Sequence, residues 1–289
     1  MYTIHNKLMT ITISPLGAEI QSAMDCQGRE WIWEGDPEIW GRHAPICFPF
    51  VGRLRDTTYR YQGEDYQIPT HGFARDLPFL CTNQSATAIT FLLESDEERK
   101  AQYPFDFSLE ITYSLKGQIL EKSHKITNKG EGDMWYELGG HDAFAMGFTK
   151  DEDFRRCALE IPAVTELNSY LSDEKGILTP KKKEIPLSEN KFSLDHSKDG
   201  FDSYVLENLP QRGVSLLDQE GKVRLRLVFP DFDHLVLWSG KPDRFFCIEP
   251  WTSLPDCTFV GRGLVEKHNI RKLPQGKSEV LVYGTEFVI

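Results

Sequence analysis

The 289-residue chain carries 33 basic against 44 acidic side chains, a formal charge of -11. Such a chain repels polyanions and lacks the basic surface that nucleic-acid binding uses. Its 40% hydrophobic and 27% charged content is that of a globular protein with a sizeable core, and no apolar run approaches the roughly 18 residues of a membrane span.

In chain order, alternation of apolar and polar residues predicts strands over Met9 to Ser14, Thr87 to Glu94, Phe107 to Leu115, Val223 to Phe229 and Val280 to Val288. In Val223-Arg224-Leu225-Arg226-Leu227 the charges share one pleat face and the aliphatic side chains the other, the pattern of a half-buried antiparallel strand. Turn residues at Asn128-Lys129-Gly130, Glu220-Gly221 and Gln275-Gly276 predict hairpins rather than crossover helices. One short helix is expected to start at Ser95, with Glu98 completing a capping box, and to end before Pro104. The polar stretch from Leu171 to Lys198 reads as a long connection with a strand near Ile185, and Lys181-Lys182-Lys183 within it as a solvated loop. No repeat or linker divides the chain, so one domain over 1–289 is expected. The pattern reaches a large all-β protein.

The N-terminus contains no stretch of signal-peptide character. The six cysteines, Cys26, Cys47, Cys81, Cys157, Cys247 and Cys257, form no Cys-x-x-Cys pair. They read as small buried hydrophobes of a reducing, cytoplasmic compartment.

Three distant segments place a titratable side chain beside small, aromatic or turn-forming residues: Thr70-His71-Gly72-Phe73-Ala74-Arg75, Gly139-Gly140-His141-Asp142 and Cys247-Ile248-Glu249-Pro250-Trp251. Two imidazoles and a carboxylate suffice for proton transfer near neutral pH. A strand rich in aromatic residues delivers Glu249, and burial there would raise its proton affinity. On position alone, a strand-end carboxylate paired with an arginine is an equal reading. A lone histidine is more often structural than catalytic, and His5, His43, His124, His196, His234 and His268 have no motif around them.

In their order along the chain, with Gly200-Phe201-Asp202 between the second and third, these segments resemble the aldose 1-epimerase (galactose mutarotase) family. The His-Gly-Phe-Ala-Arg string is similar to its bacterial LacX-like branch. The resemblance implies a large antiparallel β sandwich (a galactose mutarotase-like supersandwich) with few short helices and interconversion of the α and β anomers of a sugar. It casts Glu249 as the base on the anomeric hydroxyl, His141 as the acid on the ring oxygen, and His71 as a hydrogen-bond partner of that oxygen. Arg53 and Asp202 match residues that hold sugar hydroxyls. The usual tyrosine and histidine around that aspartate are replaced by Phe201 and Ser203, and the asparagine two residues beyond the arginine by Arg55.

Arg75 belongs to the branch string and suits hydroxyls or a phosphate. An ion pair with Asp56 or Asp76 is the plain alternative for both Arg55 and Arg75, and it is preferred for Arg55. Among the rings of Trp40, Phe48, Phe73 and Trp251, the motif neighbours Trp251 and Phe73 are the ones expected to stack on a pyranose. A monosaccharide, free or phosphorylated, is the expected partner, with the oligomeric state open. Anomer exchange moves no electrons, and neither a Gly-x-Gly-x-x-Gly string nor a His-Glu-x-x-His spacing is present, so no cofactor and no metal are expected. A hexose-6-phosphate mutarotase and a non-catalytic carbohydrate-binding protein on the same scaffold are the competing readings.

Overall fold

The computed structural model describes residues 1–148, 151–195, 203–241 and 243–289. Its architecture is two large antiparallel sheets with small two- and three-stranded additions. The larger has ten strands; its middle runs in the order Gly213–Leu217, Val223–Val228, Ser278–Phe287, Ile119–Asn128, Phe107–Lys116 and Ala88–Glu94. The smaller has six, with Phe245–Trp251 at its centre, His234–Trp238 on one side, and Gly139–Gly140 and Asp142–Ala145 on the other.

All five expected strands form, each with its bounds within two residues of the sequence reading. Along Val223–Val228, Leu225 and Leu227 are buried while Arg226 and Val228 are exposed, so alternation reports the inward face correctly.

Four local expectations are corrected. The short helix is Glu97–Lys100, capped by Asp96, whose carboxylate accepts from the Arg99 N–H. Ser95 instead accepts from the Phe107 N–H and donates to Asp106. Only Glu220-Gly221 closes a hairpin; beyond Asn128 and before Ser278 the chain forms Met134–Tyr136 and Arg271–Leu273, which pair with each other. The polar stretch after Leu171 is largely sheet: Asn168–Ser172 pairs with Leu178–Glu184, followed by Leu187–Ser188 and Lys191–Ser193. The three lysines therefore lie on a strand, where Lys182 reaches Glu207 and sits over the Tyr170 ring. Finally, Cys26 is exposed and Cys81 partly so, leaving four of the cysteines buried.

The two sheets meet across a core that is not wholly apolar. Lys122 of the ten-stranded sheet reaches Asp142 of the six-stranded sheet at 2.5 Å, with 4% and 1% of the side chains exposed. Burial lowers the Lys122 pKa, and Asp142 works against that shift. Two charges removed from water are tolerated only as a pair. Lys122→Met should therefore destabilise the protein by about 3–5 kcal/mol by leaving Asp142 unpaired. Lys122→Met with Asp142→Leu should recover most of that loss in urea denaturation, because no buried charge then remains.

Candidate active site

A cavity of about 500 Å³ opens over the six-stranded sheet and is lined by Trp40, Arg53, His71, Arg75, His141, Trp238, Glu249 and Trp251, with the turn of the 168–184 hairpin at its rim. Its size is that of a small-molecule site.

Strand register builds the floor. Gly139 pairs with Trp251 and Asp142 with Ile248, and the same antiparallel register sets His141 opposite Glu249. Residues directly opposite point to one face, and His141 Nε2 lies 3.4 Å from Glu249 Oε2. The two glycines before His141 make room for the protein's own aromatic groups. A Cβ on Gly139 would fall 2.4 Å from the Trp251 ring, and one on Gly140 2.1 Å from the Tyr283 hydroxyl.

His71 arrives from a different connection with φ +65°. Its backbone N–H donates to Gly52 and its carbonyl accepts from Phe48. Gly72 follows with φ +70° and packs against the Phe48 carbonyl where a Cβ would clash at 2.2 Å, so a left-handed residue without a side chain is required there. The Gly52 N–H donates to His71 Nδ1 at 3.1 Å, and Cys47 Sγ lies 3.1 Å from the same nitrogen. With Nδ1 accepting, the ring proton resides on Nε2. The two imidazoles meet edge to face at 5.2 Å, and Trp40 stacks on His141 at 5.0 Å.

Glu249 is 1% exposed, and neither carboxylate oxygen has a hydrogen-bond partner. Burial raises its pKa well above the ordinary glutamate value, Asp142 adds to the rise, and the Trp251 indole pulls the other way. Burial lowers His141 to about 3, helped by Arg75 and Arg42, and it lowers His71 well below the usual histidine range, helped by His141 and Arg75. Both shifts favour the neutral pair of carboxyl and imidazole. Carboxylate with imidazolium has the same proton count and differs only by moving one proton between them.

The other expected residues divide. Arg53 and Arg75 line the cavity. Arg53 donates to the Lys175 carbonyl of the rim hairpin, while Arg75 donates to the Thr70 carbonyl and its Nε forms the ion pair with Asp76 that was its plain alternative, at 3.8 Å. Arg55 forms an ion pair as expected, but its partner is Asp256 rather than Asp56 or Asp76; Asp56 faces Arg262, and Asp76 faces both Arg42 and Arg75. Phe73 is corrected from a sugar platform to a core residue, 5% exposed and packed against Phe107 and Tyr103. Phe48 is likewise core. Trp251 lines the cavity but is only 4% exposed, its indole N–H donating to Gly140. Asp202 lies outside the described residues, as does His196; the neighbouring Ser203 is on the cavity wall. Trp40 and Trp238, which pack against His141 face-on and edge-on, and the rim residues Ser172 to Gly176 carried no local signal that set them apart.

The two-sheet architecture is that of the galactose mutarotase-like proteins. The family model for aldose 1-epimerase matches residues 1–271, and the chain belongs to that family. It is 30% identical over 279 residues to Protein LacX, chromosomal, of Lactococcus lactis subsp. lactis, covering 93% of each chain. The solved structure of the galactose mutarotase related enzyme from Lactobacillus acidophilus superposes with a TM-score of 0.90 at 32% identity, covering 100% of this chain and 97% of that one. Over 70 residues, 23% of this chain and 21% of the relative, it is 36% identical to an Escherichia coli (strain K12) protein provisionally named a glucose-6-phosphate 1-epimerase.

A carboxyl group whose folded pKa is raised costs stability increasingly as pH climbs above its unfolded value, because the folded chain must then hold the charge or the proton against solvent. Glu249→Gln removes that cost. Its melting temperature should exceed the parent's at pH 7 to 8, and the difference should shrink as pH falls toward about 4.3, the unfolded glutamate value. A Gln variant less stable than the parent at every pH would show that the carboxylate is satisfied in the fold.

Proposed function

We propose that the protein is an aldose 1-epimerase that interconverts the α and β anomers of a free aldohexose. The observation that carries this reading is Glu249, a fully buried carboxyl group with no donor on either oxygen, 3.4 Å from a histidine at the floor of a sugar-sized cavity. A purely structural carboxylate in that position would be costly. A hydroxyl donated by a ligand satisfies it.

In the proposed reaction Glu249, as carboxylate, takes the proton of the anomeric hydroxyl while His141, as imidazolium, gives one to the ring oxygen. The C1 to ring-oxygen bond breaks, and the open-chain aldehyde forms. Rotation about the C1 to C2 bond and reclosure with the protons returned yield the other anomer. His71, with its proton on Nε2, donates to the same ring oxygen and stabilises charge developing there. The neutral pair reaches this state by one internal proton shift, which the hydroxyl of a bound sugar favours by hydrogen-bonding the carboxylate. Arg53 and Arg75, and Asp202 by resemblance, are proposed to hold the remaining hydroxyls.

A hexose 6-phosphate is the second reading, favoured by two guanidinium groups on the cavity wall and by the short match to the Escherichia coli relative. A phosphate gains more from a guanidinium than a hydroxyl does.

NMR exchange spectroscopy on free and 6-phosphorylated hexoses tests these assignments. Glu249→Gln should lower turnover by about 10²–10⁴-fold. His141→Asn should fall in the same range, and His71→Asn less steeply. Near-parental turnover in Glu249→Gln would remove it as the base. Arg53→Ala should reduce catalytic efficiency on free hexose more than Arg75→Ala does; a preference for the phosphate that Arg75→Ala abolishes would favour the second reading. Dialysis against a strong chelator should leave the rate unchanged, whereas loss restored by a divalent ion would make the reaction metal-dependent.

A further inference from the structure

We propose that Cys247, His141 and Glu249 form a binding site for a borderline or soft divalent cation of the zinc class, and that its occupancy blocks the sugar cleft. Cys247 and Glu249 are two residues apart on one strand, so their side chains share a face. His141 stands opposite Glu249, and Ala143 pairs with Cys247, its small methyl leaving room beside the thiol. A ring nitrogen of His141, the Cys247 sulfur and a Glu249 oxygen all lie within 4.8 Å of one another, and all three residues are buried.

A tetrahedral cation with metal to ligand distances of about 2.0–2.3 Å needs ligand atoms roughly 3.3–3.8 Å apart. The His141 and Glu249 atoms, at 3.4 Å, already meet this, and the thiol needs a small side-chain adjustment. A nitrogen, a sulfur and a carboxylate oxygen suit zinc, cobalt or cadmium rather than magnesium or calcium. Among the described residues no lysine or arginine forms an ion pair with Glu249, so no cation of the protein's own occupies the position. Cys247 is a free thiol packed with Trp33, Ala143 and Phe245, surroundings that keep water from the sulfur. The fourth coordination position would face the cavity and accept a water. The other buried thiol near the site, Cys47, lies against His71 and is not part of the group.

Binding changes no oxidation state. The cation takes the place of the Cys247 thiol proton and of the Glu249 carboxyl proton where present, and both leave to solvent. The cation would be an inhibitor and not a cofactor, since it occupies the oxygen and nitrogen that exchange protons with sugar. That inhibitory half rests on the acid–base reading of Glu249 and His141; the binding half does not.

The test is titration of chelator-dialysed full-length protein with cobalt(II), followed by optical absorption, beside zinc inhibition measured relative to each variant's own metal-free rate. The parent should develop a sulfur-to-cobalt charge-transfer band saturating at one equivalent. Cys247→Ser and Cys247→Ala should lose the band and weaken binding at least about tenfold, while Cys47→Ala keeps it. Zinc should slow the parent competitively with sugar, with at least about tenfold higher concentrations needed for Cys247→Ala. No band in the parent, or an unchanged band in both Cys247 variants, overturns the site. Cobalt binding without zinc inhibition overturns its blocking role. A band in a protein that exchanges no anomers keeps the site and removes the epimerase reading.

Discussion

Glu249 holds a carboxyl group out of water with both oxygens free of protein donors, and much of the surrounding structure is arranged to keep it there. The central strand of the six-stranded sheet delivers it, the antiparallel register sets His141 against it, and two glycines admit Trp251 and Tyr283 on either side of that histidine's strand. A group that gains nothing from its fold is available to a ligand. The cost of its burial is what a hydroxyl-bearing substrate would offset.

Behind this floor the two sheets are joined by the Lys122 to Asp142 pair, next in sequence to His141. Asp142 raises the proton affinity of Glu249, while its own charge is compensated by Lys122. A polar pair in the middle of a sandwich fixes how the sheets sit on each other, and here it also supplies part of the field at the site. In front, the 168–184 hairpin reaches over the cavity and is tied to Arg53 through the Lys175 carbonyl. A residue expected to hold sugar is thereby coupled to the position of the rim.

The strands were legible because period-2 burial leaves a direct trace in composition, as in Val223–Val228. The hairpin at Leu178–Glu184 was not, since a strand whose Lys181, Lys182 and Glu184 are exposed has no apolar alternation to show. Turn residues at Asn128 and Gln275 did not close hairpins, because the strands beyond them, Met134–Tyr136 and Arg271–Leu273, pair with each other, a choice that long-range pairing decides. His71, His141 and Glu249 were singled out through short motifs, and the fold gathers all three on one cavity. Phe73 misled because adjacency to a motif says nothing about which way a ring turns, and its ring turns to the core. The approach of Cys247 to His141 escaped notice because no local spacing connects residues a hundred positions apart; only the sheet register does.

The central claim is that Glu249 and His141 face the two oxygens of a hemiacetal. A crystal structure of Glu249→Gln with a bound aldohexose measures this most directly. The account predicts the anomeric hydroxyl within hydrogen-bond distance of residue 249 and the ring oxygen within reach of His141 and His71. A sugar bound with its anomeric carbon turned away from both, or seated outside this cavity, would contradict it.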